Sequence, residues 1–190
     1  MARADLKITL PMTRETALSL RAGDAVTLSG TLYAARDAAH KRFIELLDAG
    51  EPLPFDPRGA VIYYCGPTPA PPGAVIGSAG PTTSARMDAY APRLLRLGVS
   101  GMIGKGARAP SVTEAIRETG AVYFAALGGA GALLAAAITA SEVVAFPELG
   151  AEAVYRLTVA DFPAVVATDA SGASVYDEGR RRYLASLGAE

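Results

Sequence analysis

The segment Gly80-Pro81-Thr82-Thr83-Ser84-Ala85-Arg86-Met87-Asp88 crowds three hydroxyls, an arginine and a carboxylate into one short stretch. It follows the strand-like run Ala74-Val75-Ile76 and the turn Gly77-Ser78-Ala79, and it opens a predicted helix. The first N–H groups of a helix have no internal partners and its N-terminus is electropositive, so such a segment builds a pocket for a small anion. One hydroxyl serves as the helix cap, but three exceed that need. A hydroxyl near cations has its alkoxide form favoured, which is the form that proton transfer requires. Arg36 stands just before another predicted helix, and Lys105 stands between Gly104 and Gly106. Taken singly, Arg36, Arg86 and Lys105 read as ordinary solvated cations. Each nevertheless sits where a strand ends or a helix begins, which is where α/β folds collect ligands. Together they suit a dicarboxylate, with arginine forks gripping carboxylates and the lysine acting as a point charge.

The other reactive side chains are few. The chain has one histidine, His40, and one cysteine, Cys65. His40 lies inside the first long predicted helix and reads as a surface or half-buried residue. Cys65 ends a strand and reads as a small core residue, since no second histidine exists to activate it. One Cys and one His cannot assemble a zinc site or an iron–sulfur cluster, so no metal ligand is assigned. Gly104-Lys105-Gly106 lacks the spacing of a phosphate-binding P-loop. Gly128-Gly129-Ala130-Gly131 fits tight helix packing or an anion-facing turn better than a dinucleotide loop.

The elements that must position these residues alternate. Leu6–Leu10 and Ala25–Tyr33 read as strands, the second interrupted at Gly30. Asp37 reads as the N-cap of a helix that ends near Ala49 before Gly50. Ala60–Cys65 is a predicted buried strand, followed by the dense loop Gly66-Pro67-Thr68-Pro69-Ala70-Pro71-Pro72-Gly73. A helix opening at Thr82 or Ser84 is expected to run to Leu97, kinked at Pro92. Val99–Ile103 is a strand, and Ser111-Val112-Thr113-Glu114 reads as a capping box for a helix that stops at Gly120. Ala121–Ala125 is a strand, and an Ala-rich helix is expected to reach Ala140. Val143–Phe146, Val154–Val159 and Ala164–Thr168 are predicted strands, and the basic tail from Asp177 is a terminal helix. Strand–helix–strand units in the middle, with strand-rich ends, give a mixed α/β domain.

The 190 residues suffice for a single domain, read as 1–190, with a substantial core. The formal net charge of −1 removes the electrostatic basis for nucleic-acid or membrane-surface binding. No apolar run is long enough to span a bilayer, and the first residues carry no signal-peptide block. A cytoplasmic location is expected.

Four stretches carry a resemblance: Ile62-Tyr63-Tyr64-Cys65-Gly66-Pro67-Thr68-Pro69, the Gly80–Asp88 segment, Ile103-Gly104-Lys105-Gly106, and Phe146-Pro147-Glu148-Leu149-Gly150-Ala151-Glu152-Ala153. They resemble the iron–sulfur-dependent class I fumarate hydratases, and more closely the separate β subunit of two-subunit fumarases and L(+)-tartrate dehydratases. The resemblance extends from about Val26 to Tyr176. It implies a swivelling β/β/α three-layer domain with a mixed sheet. It also implies a hydro-lyase that reversibly hydrates a small dicarboxylate, with fumarate/malate, tartrate/oxaloacetate and methylated relatives all open. By motif, Thr82 corresponds to the family's candidate general base. Arg36, Arg86 and Lys105, with Thr83 beside them, correspond to its substrate-binding groups. The resemblance further implies a [4Fe–4S] cluster held by a partner α subunit and none bound by this chain. The pair would form a heterotetramer, or the chain alone a homodimer. Asp88 reads as a residue that orients a basic neighbour or supports the helix start. A competing reading is a non-catalytic dicarboxylate-binding module with the same fold. A third, an independent isomerase or lyase using Lys105 or Cys65, has little behind it.

Overall fold

Strand-forming runs from the two ends of the chain meet in one sheet. The computed structural model describes residues 6–188. β1 (Leu6–Leu10) lies parallel to the first half of β2 (Ala25–Ala34), and the end of the same edge passes to β3 (Val61–Tyr63). β4 (Gly101–Gly104) and β5 (Val122–Ala125) continue the parallel run. β7 (Val154–Thr168) is antiparallel to β5, to β6 (Ile138–Ala145) and to nearly all of β2. The seven-stranded mixed sheet β1-β2-β3-β4-β5-β7-β6 therefore closes on itself through β2 and β7.

Closure needs β2 to bend, and Gly30 is where it does so. Its φ is +122°, a Cβ there would lie 2.4 Å from the Leu10 carbonyl oxygen, and the β2–β7 register shifts beside it. Across the shift, Asp161 adopts a positive φ and donates its N–H to Ser29 Oγ at 2.9 Å. The gap expected between two C-terminal strands is thus a bulge inside one long strand.

The helices are α1 (Arg14–Ser19), α2 (Asp37–Asp48), α3 (Ala91–Arg96), α4 (Pro110–Thr119), α5 (Gly131–Ala136) and α6 (Val175–Ser186). Two 3-10 turns cover Ser84–Met87 and Pro147–Glu152. Parallel strands require crossovers, and α2, α3 and α4 supply them. Their buried residues recur at three- and four-residue spacing: Ala39 and Phe43 on α2, Ala91, Leu94 and Leu95 on α3, Val112, Ala115 and Ile116 on α4. Because side chains alternate along a strand, Tyr63 enters a core enclosed by the sheet, with Leu28, Phe124 and Phe162. Its neighbours Ile62 and Tyr64 face the helices, with Phe43, Leu94 and Ile116. Sheet wall, sheet wall and helices form the three layers.

Several local expectations are corrected. The helix expected from Thr82 to Leu97 is a four-residue 3-10 turn followed by α3, with Pro92 in the first turn of α3 where a missing N–H costs nothing. Arg36, not Asp37, is the N-cap residue of α2. The helix at Ser111 begins one residue earlier, at Pro110, and its N-cap Ala109 makes no side-chain cap, so the capping box does not form. The Ala-rich helix stops at Ala136 because Ile138 already pairs in β6. α1 was not expected at all; Thr13 caps it by accepting the Thr16 N–H. No helix among the described residues is long and apolar enough to cross a membrane.

Gly30→Ala is expected to lower stability by about 1 kcal/mol or more, through both the positive φ and the contact with Leu10. A urea-unfolding midpoint equal to that of the unaltered chain would remove Gly30 as the pivot.

Candidate active site

The sequence-expected residues gather at the C-terminal ends of β2, β3 and β4, the ligand-collecting edge of parallel sheets. Arg36 follows β2. The chain after the Pro-rich loop returns to the end of β3, where Pro81 bridges Cys65 and the Thr82 N–H reaches the Tyr64 carbonyl at 2.6 Å. One residue on, Thr83 bridges Lys105, and the Ser84 N–H donates to the Lys105 carbonyl at 2.9 Å. Residues 81–84 therefore lie as an extended strip between the outlets of β3 and β4, and they bring Thr82 and Thr83 alongside Lys105.

The three hydroxyls divide. Ser84 is buried, and its Oγ lies 2.9 Å from the Tyr123 hydroxyl, which itself donates to the Gly106 carbonyl at 2.8 Å. Gly104 must be glycine for this, since a Cβ there would lie 2.0 Å from Ser84 Oγ. Thr82 is half-buried and Thr83 exposed, and neither hydroxyl has a hydrogen-bond partner among the described residues. None of the three caps the following turn. A 3-10 turn this short offers little dipole, so any activation of Thr82 falls to the neighbouring cations.

Asp37 joins the two arginines. Its Oδ1 accepts from Arg86 Nε at 2.7 Å and its Oδ2 from Arg36 Nε at 3.2 Å. Burial acts to raise the Asp37 pKa, but its own backbone N–H, Arg36 and Arg86 outweigh it and hold the carboxyl below the usual carboxylate range. Arg36 also reaches Glu152 Oε1 at 3.2 Å, while Glu152 Oε2 accepts the Ala38 N–H at 2.9 Å in the first turn of α2. Arg86 is 51% exposed, and among the described residues its two terminal nitrogens have no partner. They form an open fork for a carboxylate. Lys105 is exposed and unpaired among the described residues.

Sequence reasoning assigned no site role to Asp37, Glu152 or Arg108. Glu152 lay in the Phe146–Ala153 motif, whose contact with α2 only the fold reveals. Asp88 pairs with a basic residue as expected, but the helix start it supports is that of α4, not the one opening at its own segment. Its Oδ1 accepts from Arg108 Nε at 2.7 Å and its Oδ2 from the Ala109 N–H at 2.8 Å.

These residues do not fit an iron–sulfur cluster. Cys65 is fully buried, and burial pushes its thiol up to about 12. No group of three or more His, Cys, Asp or Glu among the described residues could hold a metal ion.

A family model described as Fumarase C-terminus matches residues 1–179. Fumarate hydratase 2 of Leishmania major is 40% identical over 178 residues, covering 93% of this chain and 31% of that protein. The anaerobic class I fumarate hydratase of Escherichia coli K12 is 42% identical over 155 residues, covering 80% of this chain and 28% of that protein. The putative L(+)-tartrate dehydratase subunit beta of Methanocaldococcus jannaschii is 39% identical over 182 residues, covering 93% of each chain. The chain thus spans less than a third of the two fumarate hydratases and nearly all of the subunit.

His40 departs from expectation. It is fully buried among Phe43, Tyr64 and Tyr90, with Nδ1 at 2.9 Å from the Arg36 carbonyl and Nε2 unpartnered. Burial first, and the charge of Arg108, lower its pKa from 6.5 to about 4, against the opposing pull of the Arg36 carbonyl and Asp37. The unfolded chain takes up a proton below pH 6.5 and the folded chain not until about 4. The neutral side chain's contribution is therefore complete above 6.5 and is lost as pH falls toward 4, by roughly 3 kcal/mol. In urea titrations, His40→Gln is expected to flatten the stability–pH slope across this window; an identical slope would exclude His40 as its source.

Proposed function

The chain belongs to the fumarase C-terminus family, and on that footing we propose that it is the β subunit of a two-subunit hydro-lyase that reversibly hydrates a small dicarboxylate. Fumarate/malate is the first substrate pair to test and tartrate/oxaloacetate the second. The observation that carries the proposal is the meeting of Arg36, Arg86 and Lys105 with Thr82 and Thr83 at one edge of the sheet, beside an open arginine fork. The subunit-length match to a tartrate dehydratase β subunit supports a separate α partner. That partner is proposed to carry the [4Fe–4S] cluster, for which the described residues of this chain offer no fitting ligand group. A heterotetramer and a cytoplasmic location accompany this reading.

In the dehydration direction, a C–H bond next to a carboxylate breaks. The proton passes to Thr82 Oγ1, the electron pair becomes the new C=C bond, and the hydroxyl on the adjacent carbon leaves with its bonding pair. Deprotonation builds extra charge on the neighbouring carboxylate, and Arg36, Arg86 and Lys105 stabilise that charge as it develops. Thr82 can accept the proton only as its alkoxide, which the Arg86 and Lys105 cations favour. Thr83 orients the same carboxylate. The acid that meets the departing hydroxyl comes from the partner.

Co-produced anaerobically with its cluster-bearing α subunit, the chain is expected to support hydration of fumarate, and alone to support none. Thr82→Ala should lower kcat by about 10²- to 10⁴-fold and Arg86→Ala by about 10²-fold or more, with the complex still assembled on size-exclusion chromatography. Undiminished rates in both variants, or turnover by the isolated chain without iron, would overturn the proposal.

A further inference from the structure

Two turns carry the candidate site: Thr82–Asp88, which bears Arg86, and Lys105–Ala109. Behind them sits a cation that neither the motif reading nor the proposed chemistry uses. Arg108 has a side chain 1% exposed, paired with Asp88 at 12%. Its guanidinium nitrogens each meet a neighbour, and two aromatic rings lie against it. Nε donates to Asp88 at 2.7 Å, Nη1 points at Met102 Sδ at 3.3 Å, and Nη2 lies 3.4 Å from the Tyr64 hydroxyl. The rings of Tyr64 and Tyr123 lie 5.3 and 4.9 Å from its central carbon.

A buried ion pair is a weak stabiliser, because desolvation offsets most of the attraction, and apolar residues of similar volume often do as well. What such a pair does supply is a fixed geometry. Asp88 ends the 3-10 turn that carries Arg86, and its second oxygen takes the Ala109 N–H, so one carboxylate ties that turn to the residue opening α4. The Ser84–Tyr123–Gly106 chain makes a second tie on the other side of Arg86. Arg86 therefore projects from a turn anchored at both flanks. Lys105 projects from a strip anchored by its own backbone to Ser84 and, three residues on, by Arg108.

We infer that Arg108 is a positioning residue: clamped by Asp88, Tyr64 and Tyr123, it sets the placement of Arg86 and Thr82 relative to Lys105. What it positions rests on the hydro-lyase reading; the clamp itself does not.

The test uses Arg108→Met, which matches the stem but lacks charge, and Arg108→Lys, which keeps charge but lacks the fork. Arg108→Met paired with Asp88→Asn covers the case in which an unpaired Asp88 prevents folding. In the reconstituted complex, Arg108→Met or the paired variant is expected to lose about 100-fold in kcat with a raised KM for the dicarboxylate, and Arg108→Lys to recover part of it. In the isolated full chain, amide hydrogen exchange over residues 82–88 and 105–109 should speed up about tenfold in the same variants, with the sheet unchanged. Folded variants with a lowered thermal midpoint but unaltered kcat, KM and local exchange would make Arg108 merely structural and overturn the inference. Inactive Thr82→Ala beside fully active Arg108 variants would overturn it too while leaving the hydro-lyase reading intact. Fully active Thr82→Ala beside faster exchange in the Arg108 variants would sink the reading and support the clamp.

Discussion

Everything at the candidate site depends on β2 serving three neighbours. One edge holds β1 and then β3, the other holds β7, and the bend at Gly30 makes both sets of pairings possible. Closure through β7 buries one face of the short parallel strands and the helices bury the other, which is why Val61, Ile62 and Tyr63 are all apolar or aromatic and all buried. Strands of three or four residues could not hold a site by themselves. Enclosed between β2 and β7, they become a rigid floor, and the segments leaving their C-terminal ends have little freedom in where they emerge.

On that floor the fold solves a problem of like charge. Arg36, Arg86, Lys105 and Arg108 leave neighbouring strand ends, and cations so placed repel unless anions intervene. Each arginine has a carboxylate partner, but the partners differ in burial. Asp88 locks Arg108 in the interior, where neither is free to move. Glu152 holds one edge of Arg36 and also ties down the start of α2. Asp37 takes only the Nε edge of Arg86, and the fork beyond it faces outward. The gradient runs from a structural cation behind the site to a ligand-ready one in front.

Much of this was legible in the residues. Alternation identified Leu6–Leu10, β-rich or continuous apolar runs identified most other strands, and the Gly-flanked Lys105 and the Thr82–Arg86 spacing marked the candidate site region. What escaped was whatever depends on contacts distant in sequence. Asp37 spelled an N-cap, yet its carboxylate turns to two arginines, one of them 49 residues away. Ser111–Glu114 spelled a capping box, yet Pro110 and the Asp88 bond to Ala109 start the helix earlier. The three hydroxyls looked equivalent, and only the position of Tyr123 separates the buried Ser84 from Thr82 and Thr83. His40 sits in a polar-looking stretch, Ala38-Ala39-His40-Lys41-Arg42, and only the aromatic wall of Phe43, Tyr64 and Tyr90 reveals that it is sealed.

This surface alone supplies only part of what the proposed reaction needs. In the proposed reaction, two arginine edges, a lysine and two hydroxyls would bind a dianion and stabilise charge growing on one of its carboxylates. Expelling a hydroxyl also requires a group that can receive it. Among the described residues around the site, none is free to do so. His40 is buried and neutral at physiological pH, Asp37 stays ionised between two arginines, and Asp88 and Glu152 are committed to Arg108 and Arg36. Cys65 is a buried thiol, far from its reactive form. A surface so rich in anion-binding groups and so poor in acids among its described residues is what the proposed pairing with a second subunit calls for.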